Sequence, residues 1–173
     1  MLYNGLTLIP APIPNDENER IRAVQRLNVL DTPSESRFDV LTREAVAKLH
    51  VPISVISILD SDREWFKSCQ GLDKKEGERA ISFCGHALFA TNMLVVPDTL
   101  KDPRFADNPM VTGYPFIRFY AGVAMIDQKT GQPVGVFCVK DTSPRNLSVE
   151  DVSILTDLAE RAEAELNKVG SSD

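Results

Sequence analysis

The chain has 173 residues, 43% of them hydrophobic and 25% charged, with a net charge of −6. That suffices for one buried core and excludes disordered and fibrous classes. An acidic balance without a Lys/Arg cluster lacks the footprint that phosphate backbones demand, and no apolar run approaches the about 18 residues of a bilayer span, so neither nucleic acid nor membrane is an expected partner.

Residues 1–15 hold Pro10, Pro12 and Pro14 and read as an extended arm. They lack a basic start and a small-residue cleavage site, so no signal peptide is expected. A first helix is expected over about residues 16–30, where Asp16 and Glu19 have capping-box spacing and Ile21, Val24, Leu27 and Leu30 recur at helical period. Thr32-Pro33-Ser34-Glu35 is a second start signal, with Thr as cap and Pro at the first helical position. The helix it opens carries Phe38, Leu41, Ala45, Val46 and Leu49 on one side.

The β-branched run from Ile53 to Leu59 reads as a buried strand, and Asp60-Ser61-Asp62 turns it into a second strand from Arg63 to Gln70. A polar loop follows to Arg79. Ser82 then caps a short helix to Ala90, and Met93 to Pro97 is a short strand. Residues 98–115 are irregular, with Pro103, Pro109, Pro115 and Gly113, and an irregular stretch of that length inside a compact domain usually has a function. Strands from Ile117 to Ile126 and from Val134 to Lys140 form a second hairpin, and Ser148 opens a last helix over about 148–169. Hairpins make the sheet antiparallel with helices packed on it, which is an α+β domain spanning residues 16–169. Cys69, Cys84 and Cys138 are an odd, sparse set that fits reduced thiols and a cytoplasmic location better than a disulfide framework.

Several strings occur together in order: Leu30-Asp31-Thr32-Pro33, Phe38-Asp39-Val40-Leu41-Thr42, Val51-Pro52-Ile53 and Asp62-Arg63-Glu64-Trp65-Phe66-Lys67-Ser68. After them come Ser82-Phe83-Cys84-Gly85-His86-Ala87, Asp102-Pro103-Arg104-Phe105-Ala106-Asp107-Asn108-Pro109, Ile117-Arg118-Phe119-Tyr120-Ala121-Gly122 and Gly135-Val136-Phe137-Cys138-Val139. Over residues 16–168 the chain thereby resembles the GAF domain family, in the bacterial signalling branch that accompanies histidine kinases and diguanylate cyclases. The resemblance implies a six-stranded antiparallel sheet with helices on both faces. It also implies a ligand pocket between the sheet and a cover formed here by residues 82–90 and 98–115.

The candidate pocket residues are Phe83, Cys84, His86, Asp98, Asp102, Arg104, Arg118 and Tyr120. Arg118 and Tyr120 share one strand face and Phe119 and Ala121 the other. Facing the pocket, Arg118 would hold an anionic group; otherwise it pairs with Asp98, Asp102 or Asp107 and pins the cover. Cys84 and His86, two apart on a helix, diverge, and a zinc site wants about four ligands, so no metal is expected. Neither a bilin-attachment pattern nor the Asn-Lys-Xaa-Asp-Glu type of motif associated with cyclic nucleotides is present. Trp65 and Phe66 read as sheet packing, and Asp60 and Asp62 as solvated turn acids. No Ser/His/Asp order or phosphate loop is present.

The expected function is that of a sensory domain binding an unidentified small molecule, with no resident cofactor and no catalysis. A first alternative is a free methionine-(R)-sulfoxide reductase, whose Cys-Gly string resembles Cys84-Gly85, although no second cysteine lies between Cys84 and Cys138. A second is a ligand-free dimerisation module. In the last helix Val152, Leu155, Ala159, Ala162, Leu166 and Val169 alternate spacings of three and four, a heptad seam that predicts a weak homodimer and a route to a downstream kinase or cyclase module.

Overall fold

The computed structural model describes residues 3–170. In chain order the elements are α1 (Glu17–Arg26), α2 (Ser36–Leu49), β1 (Ile53–Leu59), β2 (Arg63–Gln70), β3 (Glu76–Glu78), α3 (Phe83–Ala87), β4 (Leu94–Val96), α4 (Pro109–Thr112), β5 (Phe119–Ile126), β6 (Pro133–Asp141) and α5 (Val149–Gly170). The six strands form one sheet in the order β3-β2-β1-β6-β5-β4, with every neighbouring pair antiparallel. None of the described helices is long and apolar enough to cross a membrane.

The sixth strand is β3, three residues inside the stretch that reads as a polar loop. Its sequence, Glu-Gly-Glu, has no β propensity, and the strand exists only because it pairs with the edge of β2, Glu78 opposite Arg63. The second helix starts three residues later than the Thr32-Pro33 signal predicts. Glu35 stands at the cap position, and the Thr32 hydroxyl instead accepts from Lys67 Nζ at 2.8 Å. Ser148 does cap α5, through a reciprocal pair: Asp151 N donates to Ser148 Oγ and Ser148 N to Asp151 Oδ2, both at 3.0 Å.

The sheet separates two layers. On one face α1, α2 and α5 bury Val24, Leu27, Phe38, Leu41, Ala45 and Leu49 against Ile56, Ile58, Phe119, Ala121, Phe137 and Val139. The expected dimer seam belongs to this layer: Leu155, Ala159, Ala162 and Leu166 are all at most 2% exposed within the single chain. They pack in the chain's own core, so they are not a seam offered to a partner helix. A homodimer would have to use another surface. Of the remaining seam positions, Val152 is exposed, and the side chain of Val169 lies outside the described part.

The other face carries the cover: residues 79–93 and 97–117 with α3 and α4, on either side of β4, and over them the N-terminal arm. The arm is extended, as expected, but it is not free. Ala11 N donates to Ala80 O at 2.9 Å, Ile9 N to Arg104 O at 3.3 Å, and Thr7 Oγ1 to Asp107 Oδ2 at 2.7 Å. The approach is so close that a Cβ at Gly85 would sit 2.5 Å from the Ala11 methyl, so α3 needs glycine there.

Candidate functional site

Beneath α3 the space between cover and sheet is filled. Phe83 stacks on Phe105 with ring centroids 4.5 Å apart and on Tyr120 at 5.2 Å. The Tyr120 hydroxyl donates to Cys84 Sγ at 3.0 Å, and Gly122 leaves room for the phenol to fold back over its own strand. Burial pushes the Cys84 thiol well above its ordinary range, with Cys138 beside it adding to the shift. Burial does the same to the Tyr120 phenol. Both groups are neutral and inert here, so Phe83, Cys84 and Tyr120 are a plug rather than a binding wall. As period two requires, Phe119 and Ala121 lie on the opposite face from Tyr120.

The other candidates hold the cover in place. Arg118 pairs with Asp98 at 3.1 Å, while Asp98 Oδ1 also accepts from Leu100 N at 3.1 Å. Arg118 is therefore the pin and not the anion holder. Asp102 takes both Arg104 Nε at 3.0 Å and Nη2 at 2.7 Å, and the guanidinium lies over the Phe105 ring. His86 Nε2 bonds Ile9 O at 2.9 Å and so fastens the arm. Asp98 borders only an open surface depression with Lys101 and Arg145, and none of the eight expected residues lines the partly enclosed, apolar-walled cavity between sheet and cover.

That cavity lies nearer the β2–β3 edge. It has a volume of about 80 Å³ between the sheet residues Glu64, Phe66 and Lys140, the β3 residues Gly77 and Glu78, and the cover residues Ile81, Met110, Pro115 and Ile117. Leu72 and Lys74 close its outer side. Inward-facing positions of two strands build its floor: Glu64 and Phe66 from β2, and Lys140 two residues beyond Cys138 on β6. The cover wall is held by Asn108, whose amide donates to Ile81 O at 2.8 Å and whose carbonyl accepts from Met110 N at 2.9 Å. Phe116 turns the chain at φ 60°, a left-handed conformation that is strained for a bulky side chain, and it stands exposed, as does Tyr114, on either side of the lining residue Pro115.

Two buried charges in this cavity make no hydrogen bond among the described residues. Glu64 is 3% exposed and its Oε1 accepts no hydrogen bond; Lys140 is 2% exposed and makes no hydrogen bond or ion pair among the described residues. Burial works against the Lys140 ammonium, but Cys138 and the other thiols, once ionised at high pH, and the Glu64 carboxylate outweigh it and hold the amine above the ordinary lysine range. Buried charges are normally paired, and an unpaired one costs several kcal/mol, roughly 3–5 when a partner is removed. Sequence reading passed over both, although each stands at an inward strand position where an apolar residue is the rule.

One further network joins this site to a terminal helix. Arg79, two residues before Ile81, is 1% exposed and donates to Asp60 O at 3.1 Å and to Glu17 of α1. Arg20 of α1 is equally enclosed and grips the same carboxylate at 2.8 and 2.9 Å. Burial opposes the Glu17 charge, but the two guanidinium groups prevail and hold it below the usual carboxylate range.

Residues 33–166 match the GAF domain family. A cyclic di-GMP phosphodiesterase of Pseudomonas aeruginosa is 37% identical over 163 residues, which is 94% of this chain and 28% of that protein. The chain thus spans under a third of its relative. Among solved structures, the GAF domain of a phosphoenolpyruvate-protein phosphotransferase from Coxiella burnetii is similar at a TM-score of 0.65 and 16% identity, covering 90% of this chain and 96% of that one. A free methionine-R-sulfoxide reductase from Neisseria meningitidis, solved with its substrate, has a TM-score of 0.60 at 16% identity, covering 95% and 98%. At such identities these two likenesses concern the fold alone. On the family match across most of its length, the sequence relative and the shared sheet architecture, this chain belongs to the GAF domain family, in its bacterial signalling branch.

Proposed function

We propose that this domain is a cytoplasmic sensor that takes a small molecule into the Glu64–Lys140 cavity and passes its occupancy to the terminal helices. The observation that carries the reading is the pair of buried charges without a hydrogen bond, Glu64 and Lys140, in one cavity whose other charged lining residues, Lys74 and Glu78, are exposed. A fold gains nothing by burying them empty, and a ligand that pairs them recovers the cost. Two routes lead outward. The wall residue Ile81 follows Arg79, which is locked to Glu17 of α1, and β5, beside the Lys140 strand, packs under α5. Similarity to the Pseudomonas phosphodiesterase supports cyclic di-GMP turnover as the output that such an input domain serves. A kinase or cyclase would be coupled through the same helices.

A catalytic role of the methionine sulfoxide reductase kind is disfavoured by the state of its thiol. Cys84 is fully buried, its pKa is raised, and Tyr120 occupies the space in front of it. A reactive cysteine needs thiolate character and access. The test is native mass spectrometry of the protein purified gently from its host, beside Met110→Trp, which fills the cavity without touching either charge. The expected result is a small molecule on the wild type that is missing from the variant, and no thiol-dependent reduction of methionine sulfoxide by either. A wild type that emerges from a metabolite-rich extract without any bound molecule overturns the sensor and leaves the ligand-free module. Turnover that disappears in Cys84→Ser establishes the enzyme instead.

A further inference from the structure

From the same cavity, and resting on the small-molecule reading of it, we infer that the ligand is a small zwitterion, a free amino acid with a short aliphatic body, bound with its carboxylate on Lys140 and its ammonium on Glu64. The charges decide this by elimination. An apolar ligand leaves both Glu64 Oε1 and the Lys140 ammonium unpaired. A monoanion satisfies Lys140 but brings a second negative charge into a closed space with Glu64. A monocation or a metal ion satisfies Glu64 and is opposed by Lys140. Only a molecule carrying one charge of each sign pairs both buried groups without adding net charge to the site.

Size narrows the class. A cavity of about 80 Å³ is roughly half of the ~150 Å³ that takes up benzene and several times the roughly 10–15 Å³ minimum for one water, which brackets its content at about three to eight non-hydrogen atoms. The smallest amino acids fall in the middle of that range and valine at its upper end. That size excludes nucleotides and cyclic dinucleotides, which are also anionic. The walls fit the same description, because Phe66, Leu72, Ile81 and Met110, all apolar, line the cavity with the two buried charges, while the charged Lys74 and Glu78 are exposed to solvent. Charge-assisted bonds at both ends and an aliphatic body between them make a complete recognition set.

The experiment is calorimetric titration of the whole chain with glycine, L-alanine, L-valine, β-alanine and γ-aminobutyrate, beside propionate and propylamine as single-charge analogues. The series of amino acids reads the spacing between the two charged groups. At least one amino acid should bind, and each single-charge analogue of similar length should bind roughly ten- to a hundredfold more weakly. Lys140→Met should abolish amino-acid binding. Glu64→Gln should weaken it while erasing the preference over propionate, a reversal that mere loss of folding does not produce. Met110→Trp, which keeps both charges, should also lose binding with its far-UV spectrum unchanged. Propionate binding as tightly as L-alanine overturns the zwitterion in favour of an anion, and propylamine doing so overturns it in favour of a cation. If no amino acid binds while the host-derived protein carries some other molecule that Lys140→Met releases, the zwitterion falls and the sensor stands. If nothing is carried either, both fall.

Discussion

Lys67 and Lys140 are two lysines of one sheet, each 2% exposed, on opposite faces. Lys67 faces α2, where its ammonium meets Thr32 Oγ1 at 2.8 Å, Pro33 O at 2.7 Å and Glu35 Oε2 at 2.7 Å. Lys140 faces the cover, and among the described residues nothing receives its protons. The neighbours repeat the contrast. On the helix face the buried Ser68 hydroxyl donates to Asp39 Oδ1 at 2.6 Å and lies 2.8 Å from Thr42 Oγ1. On the cover face Glu64 Oε1 is left alone. Equal burial therefore has two meanings. A buried charge whose bonds are complete is part of the fold, and one whose bonds are missing marks where the fold awaits something else.

The largest effect that can break this contrast is on the helix face. Leu166→Glu places a charge 1% exposed between α5 and the core, and an uncompensated buried charge costs at least about 3–5 kcal/mol. The expected outcome is loss of the cooperative urea transition, or a midpoint shifted by that amount. If the variant keeps its stability and only changes its sedimentation, α5 offers this stripe to a partner and the helix face is not closed.

A smaller and more discriminating effect compares the two lysines directly. Lys67→Met removes the donor from three acceptors and should lower stability by about 1.5–3 kcal/mol. Lys140→Met removes a buried ammonium that makes no hydrogen bond and replaces it with an apolar chain of similar length, so the only loss is the longer-range attraction to Glu64, and the ligand-free protein should lose clearly less than Lys67→Met does. A smaller destabilisation at Lys140 than at Lys67 in denaturant titrations is the expected pattern. A destabilisation of equal size at both positions means that Lys140 already has its partner, and the contrast is lost.

The helix face was legible in the sequence because it obeys periodic rules. The β-branched run at Ile53–Leu59, the Phe38/Leu41/Ala45/Leu49 stripe and the Ser148–Asp151 cap each announce an element. What periodicity cannot tell is which surface covers a stripe, so Leu155, Ala159, Ala162 and Leu166 read equally well as a seam or a core. β3 was illegible because pairing with an edge, not propensity, makes it. On the cover face, attention fell on chemically vivid residues. Cys84, His86 and Arg118 are spent on packing and pins, since a cover of loops needs many polar fasteners. The informative signal was quieter: Val136, Cys138 and Lys140 share an inward strand face, as do Glu64 and Phe66, and a charge in such a slot is the anomaly.

The smallest effect concerns how the cover is fastened. His86 bonds the arm at Ile9 O and packs edge-on against Phe105 at 4.9 Å. Burial pulls its pKa below the ordinary histidine value and the nearby Arg104 pulls the same way, against the bond to Ile9 and the Asp102 carboxylate. With the folded value lower than the unfolded one, the unfolded chain takes up a proton first as pH falls. The contribution of His86 is therefore complete above the unfolded value of about 6.5 and is lost as pH drops below it. The other groups here with lowered values, Asp98, Asp102 and Asp107, are carboxylates that act only in more acidic solution. His50, the second histidine, is exposed at the end of α2. Acidification from about pH 7.5 to 5.5 should thus loosen the arm before either layer of the core. Hydrogen exchange at the Ile9 and Ala11 amides, which donate to Arg104 O and Ala80 O, reads this directly. After correction for intrinsic rates, their protection should fall while that of α2 and α5 holds, and His86→Gln should remove the pH dependence. Uniform loss across both faces, or none at the arm, shows that the cover is not held by this histidine.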